Sequence, residues 1–227
     1  MQVETLADDA AVAQRAAAFI AERAREAVRA RGQFTLAVSG GRTPWAMLRA
    51  LAAQDLPWPQ LQLFQVDERV APDGDPVRNL TNIQASLLDH APLPAANLHA
   101  MPVTAADLDA AARDYAATLQ RVAGTPAVLD LVHLGLGPDG HTASLVPGDA
   151  VLAVNVAEVA LSAPYQGHRR MTLTFPVLNR ARTLLWLATG AEKRQMVARL
   201  RAGDTSIPAG RVQSERAWLL GDGAALG

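Results

Sequence analysis

The sequence predicts an α/β fold, with a mostly parallel, Rossmann-like sheet and helices on both of its faces. Short apolar runs alternate along the chain with segments whose apolar residues recur at helical spacing. Polar turns, several of them containing glycine, follow the apolar runs. This order is typical of parallel sheets, because each strand needs a crossover connection to the next. No linker rich in serine and glycine interrupts the chain, so we expect residues 1–227 to form a single domain.

The first half of the chain contains three predicted helices and two predicted strands. A segment rich in alanine, glutamate and arginine predicts a long helix over 8–31, which Gly32 ends. The apolar run FTLAVS predicts a strand over 34–39 and is followed by the helical pattern WAMLRALAAQ. LQLFQV predicts the next strand, and a further helix is expected over 79–88.

The second half continues the same order. A helix is predicted over 104–123, with Thr104 as its N-cap and Asp107 in its first turn. Further strands are predicted at VLDLVHL, MTLTF and TLLWLAT, and a last helix at GAEKRQMVARLRAG. Ligands of such sheets bind at the carboxyl ends of the strands, so the loops that follow the strands are expected to contain the functional residues.

The composition limits the classes of function. With a net charge of −1, the chain has no overall field that would attract nucleic acid or an anionic membrane. It has no cysteine, which excludes thiol catalysis and cysteine-bound metal. The first residues have no basic region typical of a signal peptide, and no apolar run reaches membrane-spanning length. We therefore expect a cytoplasmic protein that binds neither nucleic acid nor a membrane.

The loop SGGRTP follows the first apolar run and could bind an anion. Gly40 and Gly41 allow the backbone to approach a ligand closely, and Thr43 and Pro44 suit the N-cap and first position of a helix. Free amides at the start of a helix favour phosphate. An ordinary tight turn between strand and helix explains the same residues equally well.

Two further loops contain candidate residues. DERV follows a buried strand directly, where three consecutive charges are unusual, although an exposed charged loop is the alternative. After VLDLVHL, the turn GLGPDGHTAS has the spacing of the dinucleotide fingerprint G-x-G-x-x-G and nearly that of a P-loop. Neither template fits, because Pro147 prevents a long following helix and His141 replaces the P-loop lysine.

His141 is the strongest candidate for a catalytic group. Histidine titrates near neutral pH, and the adjacent Asp139 could orient it as a general base. A purely structural histidine is the alternative. The nucleophile elbow G-x-S-x-G is absent, and no cluster of histidines or carboxylates has the spacing of a metal site, so we expect no metal.

Six stretches taken together resemble the 6-phosphogluconolactonase family, whose relatives are the glucosamine-6-phosphate isomerase/deaminase enzymes. They are LAVSGGRTP, QVDERV with Asn79 downstream, HLGLGPDGHTASLVPG, RMTLTFPVLNRA, TGAEKRQMV and PAGRV, in the order of the family and over nearly the whole chain. The resemblance implies a sugar-phosphate isomerase/lactonase-like fold. It also implies hydrolysis of the δ-lactone of 6-phosphogluconate in the oxidative pentose phosphate pathway, without a metal or an organic cofactor. The expected partner is therefore a phosphorylated sugar lactone, and we expect a monomer or a small homo-oligomer.

The resemblance implies a role for each matched residue. His141 would activate water as the general base, Arg69 would stabilise the developing oxyanion, and Asp67 would hold that arginine or the sugar hydroxyls. Whether Asp67 or Asp139 pairs with His141 stays open. The expected substrate and phosphate contacts are Gly40, Gly41, Arg42, Thr43, Asn79, Arg170 and Lys193.

Two features depart from the family pattern, and two other functions stay open. Arg78 precedes Asn79 where the family often has serine, and the residues before Arg170 read YQGHR instead of a proline-rich segment. The isomerase/deaminase branch resembles D-G-H-x-A-F-N-E-P, with a glutamate five residues after the histidine; Val146 stands there, which favours hydrolysis. The other alternative is a non-catalytic sugar-phosphate-binding module, although no DNA-binding output element is visible.

Overall fold

The computed structural model describes residues 1–213 and 215–227. Strands and helices alternate over most of this part of the chain. In order, they are β1 (Gln2–Leu6), α1 (Asp9–Arg31), β2 (Phe34–Val38), α2 (Arg42–Ala52), β3 (Leu61–Gln65), β4 (Asp67–Arg69), α3 (Asn79–Ile83), β5 (Leu98–His99), α4 (Leu108–Ala123), β6 (Leu131–Gly135), β7 (Val159–Tyr165), β8 (His168–Leu173), α5 (Phe175–Arg180), β9 (Leu184–Ala188), α6 (Arg194–Arg201), β10 (Ala217–Asp222) and α7 (Gly223–Leu226). A π-helical turn at Gln84–Leu88 extends α3, and short 3-10 helices lie at Trp58–Gln60, Ala95–Asn97, Ala150–Ala153, Ala191–Lys193 and Pro208–Arg211.

Seven strands form one parallel sheet in the order β1-β10-β9-β6-β2-β3-β5. The predicted α/β fold is confirmed. After β2 the chain adds β3 on one side, and it later adds β6 on the other side of β2. The strand order therefore changes direction at the β2–β6 pair, and ligand sites of open parallel sheets lie at such points. The loops SGGRTP and GLGPDGHTAS follow these two neighbouring strands.

Alternation of side chains along the strands divides the core between the two faces of the sheet. In β2, Leu36 and Val38 join the apolar cluster under α1 and α2, whereas Ala37 joins the cluster on the opposite face with residues of α4, α5 and α6. Helices therefore cover both faces, as predicted. Among the helices of the described residues, none is long and apolar enough to cross a membrane.

A second, antiparallel sheet has the order β4-β8-β7. The first three residues of the predicted strand MTLTF lie in β8, which belongs to this sheet and not to the parallel one, and Phe175 already belongs to α5. The interpretation of DER as a loop is wrong, because Asp67–Arg69 pairs with β8. Antiparallel pairing between distant segments is not indicated by the residues near each strand. Strand β7 has no regular apolar pattern, because it contains a serine and a proline.

The predicted cap of α4 is also wrong. The helix begins at Leu108, and the side chain of Asp107 accepts the amide hydrogen of Ala110 at 2.9 Å, so Asp107 is the N-cap and Thr104 lies outside the helix. Both residue types cap helices well, and the residue that directly precedes the helical backbone takes the role. The predicted end of α1 is confirmed, since Gly32 has a φ of 79°.

Candidate active site

The loops after β2 and β6 meet strand β4 and the β7–β8 hairpin at two adjoining cavities. The larger, of about 380 Å³, is lined by the SGGRTP loop and the 3-10 turn that contains Lys193. The smaller, of about 70 Å³, lies between that loop, β4 and the turn that contains His141, and both cavities share Gly40 and Gly135. The ten residues expected at the site all line one or the other: Gly40, Gly41, Arg42, Thr43 and Lys193 the larger, and Gly40, Asp67, Arg69, Asn79, His141 and Arg170 the smaller.

His141 pairs with Asp139, which answers the question of its carboxylate partner. Nδ1 of His141 lies 2.5 Å from Oδ1 of Asp139, and the His141 amide donates to the same oxygen at 3.1 Å. Because an ionised carboxylate only accepts, Nδ1 donates, and in the neutral imidazole Nε2 is then the acceptor nitrogen. Burial raises the pKa of Asp139, but the bonds and charge of His141 outweigh burial and hold that pKa below its usual value. The pair is an oriented imidazole with a free basic nitrogen.

The glycines of GLGPDGHTAS shape the turn around His141. A Cβ at Gly137 would lie 2.1 Å from Nδ1 of His141, so only glycine leaves room for the ring. Gly140 has a φ of 82°, in the region that favours glycine. No long helix follows, since turns and an isolated bridge lead to a 3-10 helix of four residues, Ala150–Ala153, which agrees with the exclusion of a dinucleotide site.

Asp67 contacts the His141 loop through Ser144 and makes no bond to His141. The Ser144 hydroxyl donates to Oδ2 of Asp67 at 2.5 Å, and Nδ2 of Asn79 donates to Oδ1 at 3.2 Å. Both Asp67 and Ser144 are buried. Asp67 therefore joins the turn after β6 to α3, and it reaches Arg69 only through Asn79, whose Oδ1 accepts from Arg69 at 3.0 Å.

Glu68 is fully buried and gathers backbone amides around the site. Its Oε1 accepts from the amides of Arg69 at 2.8 Å and Asn79 at 2.7 Å. Its Oε2 accepts from the Leu80 amide and the Gln65 side chain, both at 2.8 Å. A buried carboxylate needs such donors. Glu68 thereby ties β4 to the start of α3 and sets Arg69 beside Asn79. The sequence did not indicate a role for Glu68, although this residue lies in the DER run of three charges.

Arg78 stands behind the site, outside the cavities. Its side chain is only 3 % exposed, with Nε 3.3 Å from Oε2 of Glu68 and Nη1 2.7 Å from Oδ1 of Asp73. Arg78, which departs from the family pattern, therefore contacts Glu68 and does not line either cavity.

Arg69 and Arg170 lie together at the smaller cavity. Nη1 of Arg69 donates to the Val77 carbonyl at 2.7 Å, and Nη2 of Arg170 donates to the Tyr165 carbonyl at 3.3 Å. The Nε of each arginine is buried and has no hydrogen-bond partner among the described residues. Burial lowers the pKa of Arg170; the charge of Asp67 opposes this effect and that of Arg69 adds to it. Two guanidinium groups with unused donors favour an anion between them.

The SGGRTP loop leads into α2 two residues earlier than predicted. Gly41, with a φ of 132°, is the N-cap, and the prediction of Thr43 in that position is wrong. The Thr43 hydroxyl instead lies 2.9 Å from the Thr189 hydroxyl, and both residues line the larger cavity. Nζ of Lys193 donates to the Leu136 carbonyl at 2.8 Å and lines the same cavity.

The two cations that sequence analysis assigned to phosphate occupy different places. Lys193 lines the larger cavity, whereas Arg170 lines the smaller one, together with Arg69, His141 and Gly40 of the SGGRTP loop. The site therefore has a larger cavity with a helix start and one lysine, and a smaller cavity with a histidine and two arginines. No group of three or more His, Cys, Asp or Glu side chains that could hold a metal lies within residues 1–213 and 215–227.

The chain is similar to known proteins over most of its length. The family model described as glucosamine-6-phosphate isomerases/6-phosphogluconolactonase matches residues 7–220. The chain is 37% identical to the 6-phosphogluconolactonase of Synechocystis, over 96% of this chain and 95% of that protein. It is 39% identical to the 6-phosphogluconolactonase of Mycobacterium tuberculosis, over 88% of this chain and 87% of that protein.

Solved structures share the fold. The crystal structure of 6-phosphogluconolactonase from Thermotoga maritima superposes with a TM-score of 0.85 at 27% identity, covering 97% of this chain and 99% of that chain. A monomeric glucosamine-6-phosphate deaminase superposes with a TM-score of 0.87 at 18% identity, covering 99% of this chain and 98% of that chain. The second likeness shows that the same fold supports a different reaction, so the side chains of the site must decide between the two.

Proposed function

Because the chain belongs to the glucosamine-6-phosphate isomerase/6-phosphogluconolactonase family, we propose that it hydrolyses 6-phospho-D-glucono-1,5-lactone, with His141 as the base that activates water. The observation that carries the proposal is the His141–Asp139 pair at a cavity that also contains Arg69 and Arg170. A base beside two cations suits attack on a carbonyl whose oxygen gains negative charge.

The reaction begins with water in the smaller cavity. Nε2 of His141 takes a proton as the water oxygen bonds to the lactone carbonyl carbon, and the carbonyl oxygen becomes an oxyanion beside Arg69 and Arg170. Asp139 stabilises the imidazolium through Nδ1. The imidazolium then returns the proton to the ring oxygen as the carbon–oxygen bond breaks, which leaves open-chain 6-phosphogluconate. A lactone is a reactive ester, so no covalent enzyme intermediate is needed.

The larger cavity takes the substrate phosphate. The start of α2, with the amides of Gly41, Arg42 and Thr43, and the ammonium group of Lys193 supply the positive potential. This local charge explains how a chain of net charge −1 binds an anion. Asn79 and Asp67 line the smaller cavity, where the sugar hydroxyls lie.

Hydrolysis is favoured over isomerisation and deamination by the residue five positions after His141. That residue is Val146, which is buried, so it offers no carboxylate to carry a proton during ring opening. The remaining parts of the proposal are a cytoplasmic enzyme of the oxidative pentose phosphate pathway, monomeric or a small homo-oligomer, that needs no metal or organic cofactor and no nucleic-acid or membrane partner.

The test compares three substrates: 6-phosphogluconolactone, unphosphorylated gluconolactone and glucosamine 6-phosphate. We expect fast hydrolysis of the first, slow hydrolysis of the second and no reaction of the third. Equal rates on the two lactones would contradict the phosphate site. Release of ammonia from glucosamine 6-phosphate would contradict the lactonase assignment and indicate a deaminase. His141→Ala should lose most turnover and still bind 6-phosphogluconate, whereas His90→Ala, at an exposed histidine, should match the wild type.

A further inference from the structure

The tip of the β7–β8 hairpin places Tyr165 over the candidate active site. Tyr165 pairs with His168, and the two residues between them, Gln166 and Gly167, have φ angles of 52° and 84°. Two-residue turns with both φ angles positive match the twist of the flanking strands and define a tight hairpin. The position of Tyr165 is therefore determined by the backbone of a short turn.

Tyr165 contacts both functional parts of the smaller cavity. Its hydroxyl donates to Oδ2 of Asp139 at 3.2 Å, and Oδ2 is the oxygen that His141 does not use. Its ring meets the His141 ring at a centroid distance of 5.2 Å and an angle of 67°. The Arg170 guanidinium lies 5.0 Å from the centre of the tyrosine ring, in cation–π contact.

We propose that Tyr165 is a positioning residue for the reaction, which holds Asp139 in the rotamer that presents Oδ1 to His141 and keeps Arg170 at the cavity. The ring and the amide of His141 both donate to Oδ1, so the Tyr165 hydroxyl is what holds Oδ2. Donors on both oxygens restrict the rotation of the carboxylate about its Cβ–Cγ bond more than donors on one oxygen do. The inference rests on the proposed lactonase function. Burial, and next the charge of Asp139, raise the pKa of Tyr165, so its hydroxyl stays protonated as a donor near neutral pH.

The Tyr165 hydroxyl also draws charge from Asp139, which limits how strongly that carboxylate stabilises the imidazolium. The charged and titratable groups around the pair are Asp139 and His141 from the turn after β6, Tyr165 and Arg170 from the hairpin, and Asp67 and Arg69 from β4.

Tyr165→Phe tests the proposal, because phenylalanine keeps the ring contacts with His141 and Arg170 and removes only the hydroxyl. We expect kcat to fall about 3- to 10-fold with KM within about twofold, as for a group that acts on the transition state. The acid limb of the pH–rate profile should also move, because the carboxylate that faces the imidazole loses its second donor.

Tyr115→Phe is the matched control. The Tyr115 hydroxyl is buried in the core, where it accepts from the Gln65 amide at 3.0 Å, and it lies outside the cavities. Its loss should lower Tm and leave the pH profile in place. A Tyr165→Phe profile identical to that of the wild type would overturn the proposal, as would the same shift in both variants.

An NMR titration of the His141 ring, without substrate, separates this inference from the proposed function. The His141 signals are assigned by their loss in His141→Ala. A change in the ring nitrogen shifts between wild type and Tyr165→Phe supports the positioning of the pair, whatever substrate the enzyme uses. Identical shifts overturn it even where the wild type hydrolyses the lactone. A wild type without lactonase activity refutes the proposed function alone.

Discussion

Arg69 and Arg170 are direct partners in the antiparallel pairing of β4 with β8, so two guanidinium groups lie side by side at the smaller cavity. Like charges opposite each other on a sheet are destabilising. Burial has the largest effect on the pKa of Arg170 and lowers it, and the charge of Arg69 lowers it further. The charge of Asp67 raises this pKa, so Asp67 offsets part of the repulsion between the two arginines. The arrangement supports the proposal that a negative charge develops between the arginines during the reaction.

Replacing Arg170 should therefore affect the chemical step. We expect Arg170→Met to lower kcat about 10²- to 10³-fold, the range seen for removal of one oxyanion donor, with a smaller change in KM. Steady-state kinetics on 6-phosphogluconolactone measure this, and thermal unfolding verifies the fold. Arg182→Met is the control, because that half-exposed arginine pairs with Asp130 away from both cavities. Turnover of Arg170→Met within twofold of wild type would remove Arg170 from the mechanism.

Lys193→Ala should act on substrate binding. A charge-assisted hydrogen bond contributes about 1.5–3 kcal/mol, so we expect KM for the phosphorylated lactone to rise about 10- to 100-fold with kcat nearly unchanged. Hydrolysis of unphosphorylated gluconolactone should not change. The control is Arg194→Ala, which removes the next cation, whose Nε donates to the Ala224 carbonyl at 3.1 Å. An equal loss on both lactones in Lys193→Ala would contradict the assignment of phosphate to the larger cavity.

Gly137→Ala should displace the His141 ring, because the added Cβ would lie 2.1 Å from Nδ1. Misplacement of a catalytic group by about 1 Å costs about 10²-fold in rate, and we expect a loss of kcat of that order in a folded protein. Gly223→Ala is the matched control, since its Cβ would meet nothing within 4 Å. The readouts are kcat and circular dichroism. Full activity of Gly137→Ala would show that the observed geometry of the His141–Asp139 pair is not required for the reaction.

The free energy of unfolding should decrease as pH is lowered, because of His133. This residue is fully buried in β6, its Nδ1 accepts from the Ser39 amide at 3.3 Å, and burial lowers its pKa to about 3. The unfolded chain binds a proton below its usual pKa of about 6.5 and the folded protein does not. The stabilisation is therefore complete above pH 6.5 and is lost as pH falls toward 3.

At pH 5 the loss from His133 should be about 2 kcal/mol of unfolding free energy. His133→Asn keeps an acceptor for the Ser39 amide and cannot titrate, so its urea midpoint should change less between pH 7.5 and pH 5 than that of the wild type. His90→Asn, at an exposed position, should follow the wild type. If His133→Asn also follows the wild type, another group is responsible for the pH dependence.

Much of the fold could be predicted because its signals are local. The 3.6-residue period of α1, the apolar runs of β2 and β6 and the glycine at the end of α1 each depend on neighbouring residues only. The antiparallel sheet could not be predicted in this way. Its strands β4 and β8 lie far apart in the chain, and their pairing depends on how the core closes.

The sequence alone determined the α/β class, because alternating strand and helix patterns encode it locally, and the resemblance of its motifs to a known family supplied the ten candidate residues. Only the tertiary structure decided that Asp139 and not Asp67 pairs with His141, that Lys193 and Arg170 serve different cavities, and that Tyr165 reaches Asp139. The physical reason is that distances between side chains on different elements follow from strand order and pairing register, which no local pattern specifies.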